Sequence, residues 1–206
     1  MKLATIDELS VLAERIIAET EALPEEQKRK KVIDEVYEIL VIAYILGVDR
    51  VQTQDIENRP YTASEGAKPQ QTENVPYDTE SLYNALYRSV GGKTFEERIT
   101  ERIQDGTLDK ETLKRILETD YHRMEETGAY DRAMAYATET GQTPYKVWQT
   151  MEDDRVRDTH WDIQDVEVPM DGRFYTFDGD SARFPGDFDF VENNANCRCW
   201  LHYTFR

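Results

Sequence analysis

The strongest constraint in this sequence is a change of pattern near Tyr145. Before it, apolar residues recur at three- and four-residue spacing, as one face of an α-helix requires; after it they come in short pieces split by turn dipeptides. The longest helical stripe runs from about Asp109 to Thr140 and carries Leu113, Ile116, Leu117, Tyr121, Met124, Ala133, Met134 and Ala137. Gly128 falls on that stripe, where glycine costs about 1 kcal/mol against alanine, so a close backbone crossing or a kink is expected there. Gly141 and Pro144 end the element. Beyond Tyr145 lie strand-like segments at 166–168, 173–177 and 199–205, separated by Asp171-Gly172, Asp178-Gly179 and Pro185-Gly186. The expected fold class is therefore α+β, with a mainly helical N-terminal two-thirds followed by a small C-terminal α+β unit with a short antiparallel sheet.

Four stretches divide the chain. Residues 1–50 read as a helical hairpin: Ile6, Leu9, Leu12, Ile16 and Ile17 mark one helix, Leu23-Pro24 breaks it, and Val32 to Tyr44 mark a second that ends near Gly47. Ile39, Val41, Ile42 and Ile45 make the second helix apolar nearly all round, as either a core helix or an assembly surface would be. Residues 51–78 lack periodicity and read as an extended arm or linker. In the helical section 79–145, Leu82, Leu86 and Val90 precede a Gly91-Gly92 stop, and Thr94 with Glu97 forms a capping box ahead of Phe95, Ile99 and Ile103. Residues 146–206 form the C-terminal module, with a short helix expected from Thr150, its hydroxyl accepting from the Asp153 amide, through Trp161.

Charge narrows the function. With 25 basic against 42 acidic residues the net charge is −17, which disfavours direct duplex-DNA binding and anionic membrane surfaces alike. The longest apolar run, Ile39 to Val48, is half the roughly 20 residues of a membrane span. Asp7 and Glu8 break any export-signal pattern, so a cytosolic history is expected. The two cysteines, Cys197 and Cys199, form a Cys-x-Cys pair whose closure would make a strained ring; they are either free thiols or hold something.

Two segments concentrate chemistry: Asp153-Asp154-Arg155-Val156-Arg157-Asp158 with His160, and Asn196-Cys197-Arg198-Cys199 leading into the last strand. On a helix Asp153 and Arg157 can pair, but an exposed pair contributes only about 0.3–0.5 kcal/mol. A network locking the helix to the terminal sheet is the stronger structural reading. His160, Cys197, Cys199 and His202 are also zinc-type donors. Strand alternation turns His202 away from Cys199, leaving His160, Cys197 and Cys199 as candidate metal ligands, with Asp154 or Asp158 as a fourth. The alternative is a pair of buried thiols with His160 hydrogen-bonded beside them.

Hydrolysis is a further reading, with His160 as base and Arg155 and Arg157 holding a phosphate. Only His122, His160 and His202 are present, and no motif places a second histidine. A Cys-His nucleophile pair lacks a third, orienting group. Gly92-Lys93-Thr94 ends like a phosphate loop, but Tyr87 stands where its first glycine belongs. Trp148, Trp161 and Trp200 read as core anchors rather than a base-stacking platform.

Taken in order, Trp148, Asp154-Arg155-Val156-Arg157, His160, Val168-Pro169, Phe174 and Asn196-Cys197-Arg198-Cys199 resemble the Mu F-like minor head proteins of tailed bacteriophages, the phage head morphogenesis family. Gly92 to Ile99, Arg123 to Thr127 and Tyr130 resemble the same family's helical half, so the likeness covers about residues 80–206. The chain departs from the family at Trp161-Asp162-Ile163, where a Leu-Asp-Gly step is common, and at Asn193-Asn194-Ala195, where a proline is common. The resemblance implies a non-enzymatic virion structural protein of the phage or prophage head, acting in capsid assembly. Its implied partners are the portal and other head proteins, and its implied place the head interior or neck, after assembly in the host cytoplasm. The implied role extends to DNA ejection. Motif residues carried over are Trp148, Asp154, Arg155, Arg157, His160, Asn196, Cys197, Arg198 and Cys199. Some relatives join this module to toxin or ADP-ribosylating domains, so a small effector or toxin-like nuclease using His160 and the arginines is the rival reading. A third is a host-borne remnant serving as a helical scaffold.

Overall fold

A computed structural model describes residues 6–52 and 77–206. The arm expected at 51–78 falls almost wholly outside the described residues. The elements are α1 (Ile6–Thr20), α2 (Glu25–Gln52), α3 (Thr79–Leu86), α4 (Phe95–Gln104), α5 (Lys110–Thr140), β1 (Pro144–Gln149), α6 (Asp158–Trp161), β2 (Glu167–Pro169), β3 (Phe174–Tyr175), β4 (Ser181–Ala182), α7 (Val191–Asn194) and β5 (Trp200–Phe205). The α+β class is as expected.

The helix starts follow from side chains that satisfy otherwise orphaned amides. Asp78 accepts from the Ser81 amide, Asp109 from the Thr112 amide, and Thr94 and Glu97 cap reciprocally. Gly141 closes α5 in the left-handed conformation at φ 69. Helices α1 to α4 and the first half of α5 bury one apolar core around Ile16, Val36, Leu40, Tyr44, Phe95 and Leu117. Most of the apolar surface of α2 is thereby spent inside the chain, with Val41, Ile42 and Ile45 half-buried.

Helix α2 does not stop near Gly47; it continues to Gln52. The glycine serves packing instead. A Cβ on Gly47 would lie 1.9 Å from the carbonyl oxygen of Glu125, and one on Gly128 would lie 2.1 Å from that of Tyr44. The two glycines let α2 and α5 cross backbone to backbone, which is the close approach expected at Gly128. Arg50, one turn on, pairs with Glu126 at 2.8 Å and Glu125 at 3.3 Å across the same crossing.

The second core lies on the opposite side of α5. A three-stranded antiparallel sheet in the order β2-β1-β5 packs on Ala129, Tyr130 and Ala133. Register pairs Trp148 with Leu201, and Lys146 with Val168 on one side and Tyr203 on the other. Strand β1 was not expected, because Pro144 reads as a stop and Lys146 interrupts apolar alternation. In the structure Pro144 is the first strand residue, where its missing amide is tolerated. Lys146 is buried, donating to the carbonyls of Met170 and Gly172 at 2.8 Å each. Strand β3 falls within the segment expected at 173–177; its partner β4 and helix α7, which complete the module, were not anticipated.

The helix expected from Thr150 shrinks to the four residues of α6. Thr150 accepts from the Glu152 amide rather than from Asp153, and Glu152 has φ 52, which a helix does not allow. Trp148 is fully buried as a core anchor, Trp200 half-buried, but Trp161 is 41% exposed and anchors nothing.

Candidate functional site

The acid-and-arginine segment and the Cys-x-Cys segment do come together, though by other pairs than helical spacing suggests. Because residues 151–157 form turns, Asp153 does not face Arg157. It takes a two-pronged contact from Arg198 at 2.6 and 2.8 Å, and the Arg157 guanidinium donates to the carbonyl of Ala195. Asp154, Arg155 and Asp158 are exposed. Asp154 and Asp158 are therefore surface groups and not ligands of a buried centre.

The loop ahead of the cysteines is held by asparagines. Asn194 bridges the amide and carbonyl of Phe188 and the carbonyl of Phe190, and Asn193 donates to Asp178 and Asp180 at 3.0 Å. Asn196 adopts φ 53, a left-handed conformation that asparagine enters more readily than most residues. The turn delivers both thiols inward.

There the Cys199 and Cys197 sulfurs stand 3.3 and 3.7 Å from Nδ1 of His160, and the three donor atoms lie within 4.8 Å of one another. All three residues are buried. Phe188 stacks on the imidazole with centroids 5.2 Å apart, and Trp148 meets it edge-on at 5.5 Å. His202 sits on the opposite strand face from the buried Leu201 and Tyr203, as alternation predicts.

Sequence reasoning assigned no role to His122, and the structure does. From α5 its buried imidazole lies beside Cys197, close enough to influence the thiol's charge. The signal was a second helical face: His122, Glu126, Ala129 and Ala133 follow at four-, three- and four-residue steps and are all buried against the sheet. Glu126 accepts the Leu201 amide at 3.3 Å.

Proton sharing divides the thiols. The hydrogen bond from Cys199, with the neighbouring His122 and His160 imidazoles, holds Cys197 well below the usual thiol range against the effect of burial. Its hydrogen bond to Cys197 and burial push Cys199 up, countered by Trp148 and Arg157. Burial alone would lower His122, but the neighbouring Cys197 and the nearby Glu126 and Glu125 carry it above the ordinary histidine value. The centre thus favours one thiolate between two imidazoles, walled from solvent by aromatic rings. A surface pocket of about 340 Å³ lined by Gln27, Lys30 and Glu38 shares no residue with it.

A second polar group joins the module to the helices. Asp187 is buried among Arg88, Arg173 and Arg183, and the buried Arg123 donates to Asp120 and to the Ala85 carbonyl. Apart from Arg123, which lies in the Arg123–Thr127 segment of the family resemblance, these residues carried no sequence signal beyond their charge.

The model of the family described as phage Mu protein F like protein matches residues 79–202, from the start of α3 into β5, and includes every member of the thiol–imidazole cluster. No curated protein and no solved structure matches the chain. Since that match spans more than half of the sequence and agrees with the order of motifs along it, the chain belongs to the phage Mu protein F like family and is a phage head-related protein.

Proposed function

We propose that this protein is a minor head component acting in phage head morphogenesis, built into the virion at the head interior or neck through contact with the portal, with a part in DNA ejection. The family match supports the head assignment. One observation carries the non-enzymatic reading: Arg157, His160, Cys197, Arg198 and Cys199 are engaged inside the module, whereas Asp154, Arg155 and Asn196 are exposed and share no cleft with His160. Arg157 is engaged by Ala195, Arg198 by Asp153, and His160 by two buried sulfurs. A hydrolase would present its base and its phosphate-holding cations to a common cleft. Here His160 is 1% exposed while Arg155 lies on the surface. The net charge of −17 favours protein partners over direct contact with packaged duplex. Among the described residues, no helix is long and apolar enough to cross a membrane.

The test is co-expression with the portal protein of the same phage. Retention of this chain on tagged portal, together with its presence in purified virions, is the expected result. Absence from virions, or normal head yield and infectivity after deletion of its gene, would overturn the proposal. Nucleolytic activity lost in His160→Ala would favour the effector reading instead.

A further inference from the structure

We propose that His122, His160, Cys197 and Cys199 form a tetrahedral zinc site that clamps α5 to the C-terminal module. The donor set is two sulfurs and two imidazole nitrogens, a combination zinc takes in closed structural sites. Zinc bonds of about 2.0–2.1 Å to nitrogen and 2.3 Å to sulfur set tetrahedral nitrogen–sulfur edges near 3.5 Å. The 3.3 and 3.7 Å separations of His160 Nδ1 from the two sulfurs bracket that edge.

His160, Cys197 and Cys199 lie within 4.8 Å of one another and leave one vertex; His122, buried on α5, stands outside that group and would close it by a shift of its side chain. No other histidine qualifies, since His202 lies on the opposite strand face, and the nearby acids Asp154 and Asp158 are exposed. The four ligands come from α5, α6 and the turn before β5, so one ion would tie together three elements that the chain connects only through long intervening segments.

Burial without metal is a poor use of these groups. Thiols are weak hydrogen-bonding partners, whereas two thiolates and two neutral imidazoles balance a divalent cation inside a dry aromatic shell. On coordination each thiol releases its proton to solvent, and the imidazoles bind through a neutral nitrogen. Neither oxidation nor bond cleavage is involved. The site requires no portal contact and stands or falls separately from the virion role.

The test uses the full-length, tag-free chain, purified under reducing conditions from zinc-replete medium. Elemental analysis is expected to give about one zinc per chain. Cobalt added to the stripped protein should give the visible bands of a tetrahedral ion and a near-ultraviolet sulfur-to-cobalt band. His122→Asn should weaken cobalt binding at least 10-fold, as even the loss of an outer-shell partner typically costs 10–100-fold. His202→Asn should change nothing. Should the cysteine variants fail to fold, alkylation of the wild-type thiols provides the readout: zinc should protect both, and chelator should expose them. Substoichiometric zinc with no cobalt spectrum and no protection overturns the proposal. Wild-type cobalt affinity in His122→Asn removes that residue from the ligand set and with it the clamp to α5.

Discussion

Lys146 shows how much one side chain can ask of its surroundings. Its ammonium is buried between the carbonyls of Met170 and Gly172 and lies over the rings of Tyr130 and Phe174 at 5.0 and 5.6 Å. Burial, with Arg183 and Arg173 adding repulsion, lowers its pKa to about 7. An unfolded lysine titrates near 10.4. Between about pH 7 and 10 the unfolded chain therefore holds a proton that the folded chain lacks, and stability rises with pH; below about 7 both states are protonated and this contribution is flat. Unfolding free energies from urea titrations at pH 7 and 9 should rise by roughly 1 kcal/mol per pH unit more in the wild type than in Lys146→Met. Asp187 poses the opposite case, a buried carboxylate among Arg88, Arg173 and Arg183. Asp187→Asn leaves those cations uncompensated, and a loss of about 3 kcal/mol is expected in chemical denaturation. Neither residue announces its burial in the sequence, because a lone Lys or Asp ordinarily marks a solvated position.

Among the elements, the crossing of α2 and α5 is the most sharply determined. Gly128→Ala would gain about 1 kcal/mol of helix propensity, yet its methyl would meet the Tyr44 carbonyl at 2.1 Å. The helices must separate, and a net loss of about 1–3 kcal/mol is expected, read as a lower melting temperature by circular dichroism. The Thr94–Glu97 cap of α4 and the α5 stripe from Leu113 to Met124 were legible because helix periodicity and capping are local; Met134, expected on the same stripe, is exposed, and Ala133 faces the other core. Strand β1 was not legible, because Pro144 and Lys146 acquire their sense only from β2, β5 and the carbonyls beyond them. For the same reason Gly47 looked like a stop. Its role depends on Gly128, far along the chain.

At the level of the whole molecule, α5 is shared: Leu113, Leu117 and Met124 belong to the helical core, while Ala129, Tyr130 and Ala133 belong to the core under the sheet. Arg123 and Arg50 add polar ties on either side. The two cores should therefore unfold together. Helix content by far-ultraviolet circular dichroism and the fluorescence of the buried Trp148 should follow one transition with coincident midpoints, and separated midpoints would contradict this coupling.

By itself, the sequence determined the α+β division near Tyr145, the Thr94–Glu97 capping box, the meeting of the Arg157 and Cys197 segments and the family, since these rest on local spacing and on residue types in order. Tertiary structure alone decided that Asp153 meets Arg198 rather than Arg157, that Lys146 and Asp187 are buried, and that His122 joins the thiols. Those partnerships join residues far apart in the chain, and which of many compatible charges or donors meet is settled by how α5 is enclosed between its two layers.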